Sequence, residues 1–169
     1  PVGSNKFCEN HSSERADHAK KLLSAISELD DPQVGLRLMR ACAGFCKLVY
    51  SARVVCPDAH LSALQTFDTT LRDALGELTG LQLSDRQWAQ AGRSFRTAGI
   101  GLRSSAQHAA CAYVASRVAT KVHCSEIDPQ FQWDIDQPAS DAARAFASLQ
   151  ASLPSGSDLS SADPRLASQ

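Results

Sequence analysis

Ala16, Ala19, Leu23 and Ile26 recur at intervals of three and four residues, which places them on one face of a helix. Asp30-Asp31-Pro32 breaks that pattern. Asp31 is placed to cap, and Pro32 to open, a second helix on which Val34, Leu38, Cys42, Phe45, Val49 and Ala52 form one long buried stripe ending before Pro57. From Pro57-Asp58 onward, Leu61, Leu64, Phe67, Leu71, Leu75 and Leu78 keep helical spacing until Gly80 supplies a stop. Three antiparallel helices are the natural way to bury these stripes.

Beyond Gly80 the punctuation becomes denser. Ser84-Asp-Arg-Gln matches a capping box in which Gln87 reaches back to the cap, and it predicts a short helix carrying Trp88 and Ala91. Gly99 and Gly101 bracket Ile100, a tight extended passage that plugs one apolar side chain into the bundle. Ser104 or Ser105 then caps the last helix of the body, where Ala109, Ala112, Tyr113, Ser116 and Val122 allow close packing. No strand period of useful length is present in the body, so the expected class is all-α, a helical bundle of about four to five helices.

After Asp128-Pro129 the composition shifts. FQWDI alternates apolar Phe131, Trp133 and Ile135 with polar residues, either as a short strand or as a strap docked on the bundle, and the strap is preferred. Ser140 is placed to cap a short helix over 140–153 with Ala142, Phe146, Leu149 and Leu153 on one face. The division expected is a helical bundle domain over 1–124 and an extended, partly disordered acidic Ser/Pro/Asp-rich tail over 125–169.

A chain of 169 residues with 43% hydrophobic and 21% charged positions has material for one buried core. No apolar run reaches the length of a membrane span, and no signal-peptide pattern follows Pro1, so an intracellular setting is expected. The formal net charge of -1 conceals an asymmetry: residues 1–124 hold fifteen Lys and Arg against eleven Asp and Glu, and 125–169 hold two against seven. Between Arg86 and Ser125 lie Arg86, Arg93, Arg96, Arg103, Arg117 and Lys121 with no acid, a one-signed segment that attracts phosphate unless it is simply a solvated face. Arg37, Arg40 and Lys47 fall within about eighty degrees of one another at the helical angle per residue, a second basic stripe opposite the apolar one.

Catalytic chemistry finds little purchase. Neither a Gly-x-Ser-x-Gly elbow nor a phosphate loop is present, and Gly99 and Gly101 lack the third glycine, the strand and the acid of a dinucleotide fingerprint. Asp30-Asp31 and Asp134-x-Asp136 have the carboxylates for a divalent ion but read as a helix stop and as solvated charge. Cys42 and Cys46 have the spacing of half a metal site, yet Ala43, Phe45 and Val49 around them favour plain packing. Cys8 with His11, His108 with Cys111, and His123 with Cys124 never assemble into finger spacing, so six mostly free thiols, no metal and no cofactor are expected.

The succession LMRACAGFCKLVYSARVVCPDAH, FDTTLRDALGELTG and LSDRQWAQAGRSFRTAGIGLRSSAQHAACAYVAS resembles the region after the catalytic palm in reverse transcriptases of non-LTR (LINE-type) retrotransposons. PVGSNKFC resembles the Pro-hydrophobic-Gly turn just beyond the palm, and the likeness covers roughly residues 1–124. It implies a thumb that holds a primer-template duplex, with Gly99 and Gly101 turning the chain, Ile100 and Leu102 anchoring it, and Arg103 facing phosphate or an acidic partner. Ala98 departs from the family's Gly-Gly-hydrophobic-Gly-hydrophobic-Arg pattern, which bears on the local turn geometry. The Tyr-x-Asp-Asp motif that binds the catalytic metals is absent, as is the family's zinc-binding segment, so no polymerase activity is expected of this chain.

Two functions follow. The first is a non-catalytic module that binds the backbone of an RNA-DNA or RNA duplex through Arg37, Arg40, Lys47, Arg93, Arg96 and Arg103. The second is an interaction or scaffold subunit of mobile-element origin in a larger protein assembly, meeting its partner through Phe131, Trp133 and Phe146.

Overall fold

The computed structural model describes residues 3–153. Among them are seven α-helices, several single turns of tighter or wider helix, and no strand. The all-α class is borne out, and the number of helices exceeds four to five because the second expected helix is divided. The part of the expected tail over 154–169 lies outside the described residues.

Helix α1 (Asn5–Ser27) is capped by Ser4, whose hydroxyl accepts the amide of Phe7, and buries Cys8, Ser12, Ala16, Ala19, Leu23 and Ile26. Helix α4 (Leu61–Thr79) buries Ala63, Leu64, Phe67, Asp68, Leu71, Ala74, Leu75 and Leu78 and ends at Gly80 in the left-handed conformation. These two run in the same direction. Ser12 bonds His60 at the start of the pair (2.9 Å), and Ser27 donates to Glu77 at its end (2.8 Å). Leu23, Leu64, Phe67 and Leu71 are at most 1% exposed, so each contributes on the order of 1.5–3 kcal/mol by burial.

The second expected helix is where sequence and structure part. Helix α2 (Pro32–Leu38) starts as foreseen, with Asp31 accepting the amides of Gln33 (2.9 Å) and Val34 (3.2 Å) and Pro32 in the first turn. A wide π turn over Met39–Ala43 follows, then Gly44, a 3-10 turn over Phe45–Lys47, and helix α3 (Val49–Val54). The buried set is Gly35, Met39 and Ala43, one residue out of step with the expected stripe, and Val34, Leu38 and Cys42 face solvent. The cause is a close helix crossing: a Cβ on residue 35 would lie 2.6 Å from both methyl carbons of Leu78, so glycine turns this face toward α4. With the register shifted, Cys42 and Cys46 are exposed instead of packed.

Helix α5 (Asp85–Ala91) opens on the expected capping box, the Ser84 amide donating to Gln87 Oε1 at 2.9 Å. Helix α6 (Ser105–Ile127) is capped by Ser104 and runs through the expected domain boundary at 124/125. Its first half joins the main cluster through Ala109, while Tyr113 and Val114 belong to a second cluster with Ala142, Ala145 and Leu149 of helix α7 (Asp141–Ser152). The short helix over 140–153 is thus present, capped by Ser140 on the Ala143 amide (3.0 Å). No described helix is long and apolar enough to cross a membrane.

Candidate nucleic-acid interface

The segment between α5 and α6 is a compact loop tied to its own stem. Ile100 and Leu102 donate their amides to Ala91 O at 3.1 and 3.3 Å, Gly101 donates to Arg93 O at 2.9 Å, and Gln90 Nε2 reaches Thr97 O and Ala98 O, both at 2.9 Å. Gly99 lies so close to the chain that a Cβ there would stand 2.0 Å from Arg93 O. Ala98 has a φ of 58°, and Gly101 one of +75°. The position at which the reverse-transcriptase pattern carries its first glycine is therefore a left-handed one here, and alanine occupies it at a cost of about 1 kcal/mol. Leu102 is buried and Ile100 packs against the main cluster, which fastens the loop as expected.

Asp68, which sequence reasoning passed over, fixes where the loop ends. Its carboxylate is buried and accepts from Ser104 Oγ (2.6 Å), the Ser105 amide (2.7 Å) and the Ala106 amide (3.1 Å). A negative charge at the first turn of α6 is also favoured by the helix dipole. Because the chain's own carboxylate fills that terminus, any phosphate at this end must be met by side chains. The signal was present: Asp68 stands with Leu64, Leu71 and Leu75 on the apolar face of α4, where an acid needs a buried partner.

The loop presents Arg93, Arg96 and Arg103 to solvent. Arg40, on the π turn, joins them across space: its guanidinium carbon sits 4.2 Å from the centroid of the Phe95 ring, and its Nε is 3.0 Å from where a Cβ on residue 101 would stand. Among the described residues, none of these four arginines is in an ion pair. Arg37 and Lys47 are exposed as well, but the break at Gly44 removes the single helix on which all three basic residues would share one face.

Of the three remaining basic residues of the acid-free stretch, Arg86 is exposed and the other two serve the chain itself. Arg117 pairs with Asp134, and Lys121 Nζ lies 4.9 Å from the centroid of Trp133. These contacts hold residues 128–137 on α6 as a strap, as the alternation in FQWDI suggested. Phe131 and Trp133 are accordingly half-buried, and Phe146 packs against the second cluster. Of the three aromatics offered to a partner, Phe146 is thus taken up by the second cluster and Trp133 by Lys121.

Two further groups bear on chemistry. Ser12 Oγ and His60 Nδ1 are 2.9 Å apart, the distance of a nucleophile and its base, but the residues are 0% and 1% exposed, which leaves no room for a substrate atom. Burial lowers the His60 pKa to about 4, so the ring is neutral and the bond is structural. Burial also pushes the Cys56 and Cys111 thiols up, away from the thiolate a nucleophile needs. A separate apolar groove of about 410 Å³ lies between α2, α4 and α5, with Leu36, Leu75, Leu83 and Ile100 among its lining. No family model, curated protein or solved structure matches the chain.

Proposed function

We propose that this chain is a non-catalytic helical module that binds the backbone of an RNA-DNA or RNA duplex, in the manner of the reverse-transcriptase thumb its sequence resembles. The observation that carries this reading is the set of Arg93, Arg96 and Arg103 on a loop with a braced backbone, joined by Arg40 from the π turn over Phe95, all four exposed and unpaired with any described acid. Guanidinium groups meet phosphate in a bidentate fashion and release counterions on binding, which gives affinity without sequence readout. Held charges also lose less freedom on contact than charges on a floppy loop.

Fluorescence anisotropy of a labelled RNA-DNA hybrid against the full chain, across a salt series, tests it. Four phosphate contacts predict a slope of log affinity on log salt near -3.6, or roughly a 150-fold loss between 50 and 200 mM. Arg93→Ala with Arg96→Ala should reduce that slope by about two. Absence of binding by micromolar protein at 50 mM salt overturns the reading.

The apolar groove favours a second reading, an interaction subunit of a larger assembly, since apolar contact and not charge would carry the affinity there. Binding to such a partner would survive 0.5 M salt and be lost on Leu83→Asp, with the arginine substitutions neutral.

A further inference from the structure

Backbone contact gives the arginines a role and leaves the ring at their centre without one. Phe95 is 60% exposed and belongs to neither core cluster, so packing does not account for it. It stands at the start of the 3-10 turn Phe95–Thr97, where the Thr97 and Ala98 amides close back on Ser94 O and Phe95 O at 3.0 and 3.2 Å, with Gln90 tying the far end. Arg40 covers one face of the ring and is itself backed by the Gly101 backbone. No other aromatic stacks on Phe95 among the described residues. The result is a layered stack of backbone, guanidinium and phenyl ring, with an open π-face at its top.

We propose that Phe95 is a stacking platform for an unpaired nucleobase, so that the site takes a single-stranded extension or the frayed end of a duplex in preference to continuous duplex. This rests on the reading that the arginine loop meets nucleic acid and names which part of the strand it meets. The chemistry fits at each layer. Every base offers a π-face, so stacking on an aromatic ring is tolerant of sequence. The guanidinium on the opposite face orients the ring and adds positive charge to the stack. Arg93 and Arg96 flank Phe95 within three residues of chain, which matches an unpaired base lying beside its own phosphates. In a continuous duplex the bases are stacked on one another and cannot reach such a ring, whereas at a primer end or overhang they can.

The test compares the full chain on three labelled probes: a blunt RNA-DNA hybrid, the same hybrid with a five-nucleotide single-stranded extension, and a ten-nucleotide single strand. The extension should raise affinity about tenfold, within the range measured for stacking bases on aromatic side chains. Phe95→Ala should abolish that increment and leave the salt slope on the blunt hybrid unchanged. Phe95→Trp should keep it, with the new indole quenched on binding of the extended probe. Equal affinity for blunt and extended hybrids, or a preference that survives Phe95→Ala, overturns the platform while leaving backbone binding intact. Binding of the extended and single-stranded probes without the blunt hybrid supports the platform and removes duplex from the proposed function. Failure to bind any probe overturns both and leaves the exposed ring to a protein partner.

Discussion

Ala98 is the residue at which a local preference yields to the shape of the loop. Its φ of 58° is held because Gln90 binds the carbonyls on either side of the bend and Gly99 presses on Arg93. Ala98→Gly should therefore raise stability by about 0.5–1 kcal/mol, the relief of strain outweighing the freer unfolded chain, read as a higher urea midpoint at unchanged slope. Gly99→Ala should do the opposite and open the loop, since no side-chain adjustment removes a Cβ 2.0 Å from a backbone oxygen. His60 makes a second residue-scale prediction. Its pKa is near 6.5 when unfolded and about 4 when buried, so its share of stability is complete above pH 6.5 and lost as pH falls toward 4. That loss amounts to about 3 kcal/mol. Urea titrations at pH 7, 5 and 4 should show it, and His60→Gln should flatten the acid limb of the curve.

Among the elements, α6 depends most on one side chain from elsewhere. Asp68→Ala leaves two amides and a hydroxyl at the head of α6 without their acceptor and should cost about 3 kcal/mol, with Asp68→Asn retaining part of it, measured by thermal unfolding. The same variant should loosen Arg103, which directly precedes the cap. Helix ends were legible in the sequence because their chemistry is local: Asp31, Ser104 and Ser140 each accept an amide within three positions of themselves, and the Ser84 amide is met by Gln87 three positions on. The path of the second helix was not legible, because its register is set by Leu78 of α4 meeting Gly35, a contact that periodicity cannot contain. The candidate site was half legible. A run of arginines without acids points to Arg93, Arg96 and Arg103, but only the fold brings Arg40 onto Phe95 and withdraws Arg117 to Asp134.

At the scale of the molecule, two cores share one long helix. The main cluster holds α1, α4 and the head of α6, and the second holds the middle of α6 with α7. Breaking the Arg117 pair by Asp134→Ala should speed amide exchange over 128–137 about tenfold and leave α1 and α4 protected, since neither contributes to the strap. The parallel pairing of α1 with α4 has a consequence for how the chain is made. The Ser27 hydroxyl meets a carboxylate fifty residues further along, so α1 leaves the ribosome with its apolar face uncovered. At roughly ten residues per second its partner helix follows about five seconds later. A helix forms within microseconds, so for nearly all of that interval α1 is a finished element without a core, and the nascent chain is most exposed to misassociation there.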